Sequence, residues 1–278
     1  MTENRISLYL VATPIGNLSD LSDRAKQVLS EVDFVAAEDT RKTGILLKYL
    51  HIKKPLISYF EHNIAQRGEE IVSRLLTGQT CALVSDAGMP AISDPGEILV
   101  RQCIEQGLRV SIIPGACAAV SALAISGLST KRFCFEGFLS TAKNSRNAHL
   151  QSLKDEKRTM IFYEAPHKLC ATLADMYRVF GNRRVSFVRE LTKIYEQVLL
   201  MTFAEAISYF DKIPPKGEFV LIVEGVQDTR PREVDEHTIR AAFHDCLGKG
   251  MKKSEAARAV AEQLSLSRRE VYEMFKGE

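Results

Sequence analysis

Short apolar runs alternate with amphipathic stretches along the first half of the chain. The runs are four to seven residues long and continuous, which is typical of strands buried on both faces of a parallel sheet. They cover Ser7–Thr13, Asp33–Ala37, Pro55–Tyr59, Cys81–Val84 and Val110–Ile113. Between them, apolar residues recur three and four positions apart, as in Ala25, Val28 and Leu29, and predict helices. This alternation predicts a parallel sheet with right-handed crossovers.

A second alternation begins after Ser126 and Gly127, at a charged stretch that indicates a domain boundary. Its predicted strands cover Phe133–Phe138, Thr159–Tyr163, Val185–Val188, Glu196–Met201 and Phe219–Val223. Fewer helical stretches separate the later runs, so we expect a mixed sheet in this part of the chain.

The composition becomes polar and proline-bearing from Gln227 to Glu233, as in a linker. Three short helices are predicted beyond it, at Asp235–Cys246, Ser254–Leu264 and Ser267–Phe275. We therefore predict an α/β protein with three parts: an N-terminal domain at 1–128 on a parallel sheet, a second α/β domain at 129–228 on a mixed sheet, and a helical appendage at 229–278. Basic residues near the last two helices also permit a helix-turn-helix module, and a plain packing appendage is the simpler interpretation.

The composition of the 278 residues is that of a water-soluble globular protein, with 45% hydrophobic and 26% charged residues. No apolar run has the length of a membrane span, and the first five residues show no signal-peptide pattern. The six cysteines fall singly on mostly apolar segments, without the spacing of a zinc site or a disulfide framework. We therefore expect a cytoplasmic protein with no membrane contact and no bound metal.

The net charge of +2 conceals an uneven distribution of charge along the chain. Residues 131–193 carry 13 basic and 6 acidic side chains, a local excess of +7, whereas residues 1–130 and 194–229 are net negative. A phosphate backbone responds to a local basic surface and not to the total charge, so this segment keeps nucleic acid among the possible partners.

Polar loops follow the predicted strand ends at Asn17, Asp39, His62, Asp86 and Pro114. Because the carboxyl ends of parallel strands lie at one edge of a sheet, these loops converge there. The stretch Leu83–Gly96 concentrates two carboxylates, two glycines and two prolines directly after a buried strand. We expect the active cleft at this stretch.

The common nucleotide and hydrolase fingerprints are absent from the sequence. No G-x-G-x-x-G follows the first strand, and neither a P-loop motif, nor H-E-x-x-H, nor a nucleophile elbow occurs. The sequence therefore does not favour an ordinary dehydrogenase, a P-loop enzyme or a metallohydrolase as the class of this protein.

Eight short motifs occur in order between residues 6 and 225: Val11–Leu18, Ala37–Arg41, Ser58–Asn63, Ser85–Gly96, Pro114–Gly115, Phe162–His167, Arg189–Lys193 and Lys216–Glu218. Together they resemble the ribosomal-RNA methyltransferase branch of the tetrapyrrole-methylase-like class of S-adenosylmethionine enzymes. The chain departs from the usual pattern of that branch at Ser140, where proline is common, and at Lys168, where arginine is common.

The resemblance implies two α/β domains of the tetrapyrrole methylase type with S-adenosylmethionine bound in the cleft between them. It also implies 2'-O-methylation of a decoding-centre cytidine in 16S small-subunit rRNA, within the assembled 30S subunit, by a homodimer. By position, the implied cofactor-binding residues are Thr13, Pro14, Ile15, Gly16, Asp86, Ala87, Gly88, Met89, Ala116, Cys117, Tyr163, Glu164 and Ala165.

The chemistry of this reaction suggests roles for further side chains. A sulfonium donor is positively charged, so a carboxylate such as Asp86 is a suitable neighbour. A ribose hydroxyl is a poor nucleophile that must be positioned and deprotonated, and the candidates for this role are Asp39, Glu164, Glu190 and Lys193. The candidate phosphate contacts are Arg41, Lys143, Arg146, Lys168 and Arg189, with Lys193 as a further one.

Two other functions remain open from the sequence. A methylase of the same fold that acts on a small molecule such as a corrin precursor has no need of the basic segment. A non-catalytic RNA-binding or assembly protein uses the basic loop from Lys143 to Arg146 and the C-terminal helices, and binds RNA without binding the cofactor.

Overall fold

The computed structural model describes residues 5–226, 235–264 and 266–275. The predicted linker at Gln227–Glu233 lies outside the described residues. The chain separates into two compact units, 1–226 and 227–278. The predicted boundary between 128 and 129 falls inside the first unit and stays a prediction, as does the boundary at 228. Among the described helices, none has the length and apolar character needed to cross a membrane.

The first sheet consists of five parallel strands, as predicted. They are β1 (Leu8–Val11), β2 (Phe34–Ala37), β3 (Leu56–Ser58), β4 (Cys81–Val84) and β5 (Val110–Ile113). Their order in the sheet is β3-β2-β4-β1-β5. Because β1 and β4 are central, the loops that follow them lie side by side at the carboxyl edge, where open α/β sheets bind ligands.

Four helices cover the two faces of this sheet: α1 (Asp23–Glu31), α2 (Thr40–Tyr49), α3 (Ile64–Leu76) and α4 (Glu97–Glu105). A fifth helix, α5 (Ala118–Ile125), follows β5 and packs against the second sheet instead. Side-chain caps fix the starts of two of them, because the Ser22 hydroxyl accepts the Ala25 amide and the Asp39 carboxylate accepts the Arg41 amide. Successive residues of a strand point to opposite faces, so one strand contributes to two cores. Phe34 packs on one face of the sheet and Val35 on the other, and both are fully buried.

The second sheet is mixed, as predicted. Its strands are β6 (Phe133–Phe138), β7 (Thr159–Glu164), β8 (Arg184–Arg189), β9 (Gln197–Thr202) and β10 (Phe219–Val223). Their order is β6-β7-β10-β8-β9, with β6 parallel to β7 and the other pairs antiparallel. The strands therefore occupy the predicted stretches, although β9 begins one residue later than expected.

Three helices accompany the second sheet: α6 (Lys143–Ser152), α7 (Pro166–Phe180) and α8 (Phe203–Lys212). Helix α8 is not among the predicted elements, although its start carries a capping box in which Thr202 and Glu205 bond reciprocally. Its residues Phe203 and Phe210 join a core with Phe187 of β8. Helix α8 is therefore packed against the core of the second sheet.

The C-terminal unit contains the three predicted helices, α9 (Glu236–Gly248), α10 (Lys253–Leu264) and α11 (Arg268–Met274). They share a small core in which the rings of Phe243 and Phe275 stack at 4.0 Å between centroids. Small residues of α10, among them Ala256 and Ala257, are completely buried and allow the helices to approach closely.

Candidate active site

A cavity of about 330 Å³ lies between the carboxyl-edge loops of the first sheet and the inner face of the second. The first sheet contributes Ile15, the segment 87–89, the segment 92–94 and the start of α5. The second contributes residues from β6, the end of β7, β8 and β10. This volume is at the lower end of the range found for small-molecule sites.

The structure brings most of the predicted cofactor-binding residues to this cavity. Those that line it are Ile15, Ala87, Gly88, Met89, Cys117, Tyr163, Glu164 and Ala165. The remaining five lie beside these in sequence but do not line the cavity: Thr13, Pro14, Gly16, Asp86 and Ala116.

Thr13 and Gly88 tie the loop after β1 to the loop after β4. Their backbones form an isolated antiparallel bridge, with N–H···O distances of 2.9 and 3.0 Å. Gly88 has a φ of +87°, and a Cβ atom at this position would lie 3.2 Å from Ile15 Cγ2 and 3.7 Å from the Ala116 carbonyl oxygen. Glycine suits this position because of its positive φ, and a side chain there would press on Ile15 at the cavity wall.

Gly16 lies at a contact between the two halves of the first unit. A Cβ atom there would be 2.5 Å from Lys193 Cγ and 3.1 Å from Thr192 Oγ1. The hydroxyl oxygen of Thr192 is buried without a hydrogen-bond partner. Gly16 thus permits the loop after β1 to approach the loop after β8.

Asp86 is held by partners outside the cavity. Its carboxylate accepts the Asp39 amide at 3.0 Å and pairs with Lys42 Nζ at 2.6 Å. Lys42 is a residue that the sequence patterns did not single out. The hydrogen bond and the charge of Asp86 raise the pKa of Lys42, so the lysine stays protonated beside the carboxylate.

The predicted catalytic carboxylate of Asp39 is engaged by its neighbour. It accepts hydrogen bonds from Arg41 at Nε (3.0 Å), at Nη2 (2.7 Å) and at the backbone amide (2.9 Å). These bonds hold the pKa of Asp39 far below its ordinary value. Such a carboxylate is a weak proton acceptor, and Asp39 does not line the cavity.

Glu164 lines the cavity at the end of β7 and is 4% exposed. One carboxylate oxygen accepts the Thr172 hydroxyl at 2.5 Å, and the other accepts the Ala165 amide at 2.9 Å. With both oxygens already bonded, the side chain fixes the turn from β7 into α7. That turn carries Tyr163 and Ala165 into the cavity wall.

Glu190 and Lys193 form a small network with Glu218. Lys193 Nζ lies 3.0 Å from the carboxylate oxygens of both glutamates, and Glu190 also accepts the Glu218 amide at 2.9 Å. Burial raises the pKa of Glu190, but the bonds from Lys193 and from this amide outweigh it and the pKa is lowered. Burial likewise acts to lower the pKa of Lys193, and its bonds to both carboxylates outweigh that effect and raise it. Of the three side chains, Glu218 lines the cavity.

Asp94 is a cavity carboxylate that was not among the predicted site residues. Burial, followed by the charge of Glu38, raises the pKa of Asp94 to about 6. It lies in a strained loop, because Ala91 and Ser93 have φ values of +68° and +62°. The sequence signal that could have identified it was present: Asp94 precedes the turn Pro95-Gly96 in the stretch expected to form the cleft.

The predicted phosphate contacts differ in what their charged groups already bind. Arg146 is 15% exposed, pairs with Asp175, and donates to two backbone carbonyls of its own loop. Arg189 Nε donates to the Lys216 carbonyl oxygen at 2.5 Å. Arg41 is 89% exposed although paired with Asp39, Lys143 is exposed at the start of α6, and Lys168 is half-buried in the first turn of α7.

The described residues, 5–226, 235–264 and 266–275, contain no group of three or more His, Cys, Asp or Glu side chains arranged to hold a metal ion.

Comparison with known proteins places this geometry in a family. Residues 7–207 match the family model described as tetrapyrrole (corrin/porphyrin) methylases. A relative from Synechocystis sp., named ribosomal RNA small subunit methyltransferase I, is 48% identical over 96% of both chains. A relative of the same name from Halalkalibacterium halodurans is 46% identical over 99% of this chain and 96% of its own. The crystal structure of uroporphyrin-III-C-methyltransferase from Thermus thermophilus superposes with a TM-score of 0.56 at 18% identity, covering 78% of this chain and 94% of that one.

Proposed function

We propose, from the premise that the chain belongs to the tetrapyrrole methylase family and to its members named ribosomal RNA small subunit methyltransferase I, that it is an rRNA methyltransferase. In this proposal it methylates a ribose 2'-oxygen in small-subunit rRNA, with S-adenosylmethionine as the donor. The acceptor in this proposal is a decoding-centre cytidine of 16S rRNA. The observation that carries the proposal is the match to relatives of that name at 46–48% identity over nearly the whole chain.

The cavity has the features that a small, positively charged donor requires. Its wall at Gly88 has no side chain, so the backbone of the loop after β4 is accessible to a ligand. Ile15, Met89 and Val220 provide apolar surface for an adenosine group, and the carboxylate of Asp94 provides negative charge. We infer that the eight predicted cofactor residues in the cavity wall hold the donor. When bound, S-adenosylmethionine supplies an electrophilic methyl group.

Asp94 is the residue that we infer to accept the proton of the ribose hydroxyl. A general base is most effective when its pKa is close to the working pH, and the pKa of Asp94 is about 6. The four candidates drawn from the sequence are each bonded elsewhere. Asp39 is bonded to Arg41, Glu164 to Thr172, and Glu190 to Lys193. Lys193 itself is a protonated cation in this network, suited to binding phosphate.

The excess positive charge of residues 131–193 supports RNA as the acceptor. Lys143 and Lys168 lie on the two helices that follow β6 and β7, and both strands contribute residues to the cavity. On the side of the first sheet, Arg41 is exposed, although paired with Asp39, on the helix that follows β2. Cations on both sides of the cavity are expected where a single-stranded RNA segment enters it.

We further propose that the substrate is the assembled 30S subunit and that the protein acts as a homodimer. Strand β9 lies at the edge of the second sheet and exposes Val198 at 38% and Leu200 at 44%. An edge strand with exposed apolar side chains is a common site of subunit contact. The mass of the protein in solution, measured by light scattering, tests this state.

The proposed reaction is tested with labelled S-adenosylmethionine and 30S subunits that lack the modification, with free 16S rRNA in a parallel reaction. We expect incorporation at a single site, and resistance of that site to alkaline cleavage because a methylated 2'-oxygen cannot attack the adjacent phosphate. The variant Asp94→Asn should bind the donor more weakly, because it lacks the negative charge beside the sulfonium, and should fail to transfer the methyl group even at saturating donor.

Two results would redirect the assignment. Donor binding without label in RNA would point to a small acceptor of the corrin-precursor type. RNA binding without donor binding would indicate a non-catalytic assembly protein.

A further inference from the structure

Strand β6 contains an irregularity that changes the face on which its last residue lies. Phe135 is in register with Ile161 of β7, and Phe138 is in register with Tyr163. The step of three residues from Phe135 to Phe138 on β6 therefore matches a step of two residues from Ile161 to Tyr163 on β7. Gly137, with a φ of +63°, lies at this bulge. Side chains alternate along a regular strand, so without the bulge Phe135 and Phe138 would lie on opposite faces.

The bulge places Phe138 on the face of the sheet that borders the cavity. Ile161 and Tyr163 are two residues apart on β7 and share a face, which Phe135 and Phe138 share as their register partners. The opposite face packs Met160 against the main core of the second sheet, where a phenylalanine would be buried. A large apolar ring is thus brought out of that core and to the cavity instead.

The ring of Phe138 is supported from behind and open in front. It meets the Tyr163 ring edge to face, with 5.4 Å between centroids, and the Tyr163 hydroxyl accepts the Ala119 amide at 3.1 Å. Phe138 is nevertheless 57% exposed and lines the cavity. The protein therefore holds an aromatic face in place without covering it.

We propose that Phe138 is a stacking platform for a nucleobase of the RNA substrate, at or next to the nucleotide that is methylated. This inference rests on the proposed function, because it presumes an RNA acceptor. Proteins that recognise single-stranded RNA stack unpaired bases on exposed aromatic rings. We expect the donor to contact the more enclosed lining residues, such as Gly88, Glu164 and Val220. Because Phe138 is more exposed than these residues, its ring is assigned to the RNA acceptor and not to the donor.

The test compares Phe138→Ala and Phe138→Tyr with Phe133→Ala in the full-length protein. Phe133 is the matched control, because it lies on the same strand, is 42% exposed and does not line the cavity. Three quantities are measured for each protein: the Kd for S-adenosylmethionine, and the kcat and KM for methylation of unmodified 30S subunits. Base stacking on an aromatic ring is worth roughly 5- to 150-fold when the ring is truncated to alanine.

We expect Phe138→Ala to lower kcat/KM for 30S subunits by about that factor, with an unchanged Kd for the donor. Phe138→Tyr should retain activity because it keeps the aromatic face, and Phe133→Ala should behave as the unaltered protein. An unchanged kcat/KM in Phe138→Ala would overturn the inference, and so would a loss confined to donor binding, which would assign the ring to the cofactor. Absence of methyl transfer by the unaltered protein would instead refute the proposed function on which the inference rests.

Discussion

Replacement of Gly88 by alanine tests whether the loop after β4 forms the wall of the donor site. The chain offers a matched control at Gly78, because the two residues have nearly the same φ, +87° and +91°. A Cβ atom at Gly88 would meet Ile15 at 3.2 Å, whereas a Cβ atom at Gly78 has no atom within 4 Å. Both substitutions thus impose the same backbone strain, and only one alters the cavity.

The shared strain sets the expected change in stability. An alanine in the left-handed region costs about 1–2 kcal/mol relative to glycine, so Gly78→Ala and Gly88→Ala should each lower the free energy of unfolding by about this amount. Gly88→Ala also forces the half-buried Ile15 to shift within the cavity wall. Because Ile15 lines the cavity, its side chain can relieve this contact by moving into the cavity space, so the overpacking cost of about 1–3 kcal/mol arises when a donor fills that space, a loss of roughly 5- to 150-fold in donor affinity.

The measurements are urea denaturation for stability and calorimetric titration with S-adenosylmethionine for affinity. We expect the two variants to unfold at similar urea concentrations, and only Gly88→Ala to bind the donor more weakly. If Gly88→Ala binds the donor as tightly as Gly78→Ala, the donor does not lie against this wall and the assignment of Ile15 and Gly88 is wrong.

Two further predictions concern Asp94 and the basic loop. Because burial and then the charge of Glu38 raise the folded-state pKa of Asp94 to about 6, above its ordinary value, its contribution to stability is full below about pH 4 and is lost as the pH rises through 6. After allowance for solvent screening, Asp94→Asn should therefore raise the free energy of unfolding by about 1 kcal/mol at pH 7.5 while methyl transfer is lost, and a destabilised variant would contradict this reasoning. Arg146→Met should lower the free energy of unfolding by about 2 kcal/mol, because it leaves the carboxylate of Asp175, which is 8% exposed, with Arg178 as its remaining ion-pair partner. Lys143→Met should leave urea denaturation unchanged and reduce the salt dependence of RNA binding by about one phosphate contact. The reverse pattern would show that Arg146 and not Lys143 contacts RNA.

The strands of both sheets were predictable because their signals are local. A continuous apolar run such as Cys81–Val84 can be buried on both faces, and the polar residues that follow it end the strand. Helix α8 was missed although its capping box was present, because Phe203–Lys212 is a short amphipathic segment that follows β9 with no loop between them. Local patterns thus gave the layers of the fold and the position of the cleft loop.

The contacts within the site depend on strand order, which no local pattern contains. Lys42 and Asp86 are 44 residues apart and meet because β2 and β4 are neighbours in the order β3-β2-β4-β1-β5. The face occupied by Phe138 depends on a bulge that exists only in the pairing of β6 with β7. The sequence alone therefore indicated which loops border the cavity, and the partners of individual side chains required the assembled sheets.

Backbone strain is concentrated in the two loops that face each other across the cavity. Among the described residues, five that are not glycine have a positive φ, and four of these are Ala91 and Ser93 after β4, and Glu190 and Thr192 after β8. Each such residue costs of the order of 1–2 kcal/mol, which must be offset by contacts that hold the loop. The bonds from Glu190 to Lys193 and to the Glu218 amide are contacts of this kind. These bonds join the loop after β8 to the residue before β10, so the fold itself holds this wall in position, and a ligand can be aligned against it without first ordering the loop that receives it.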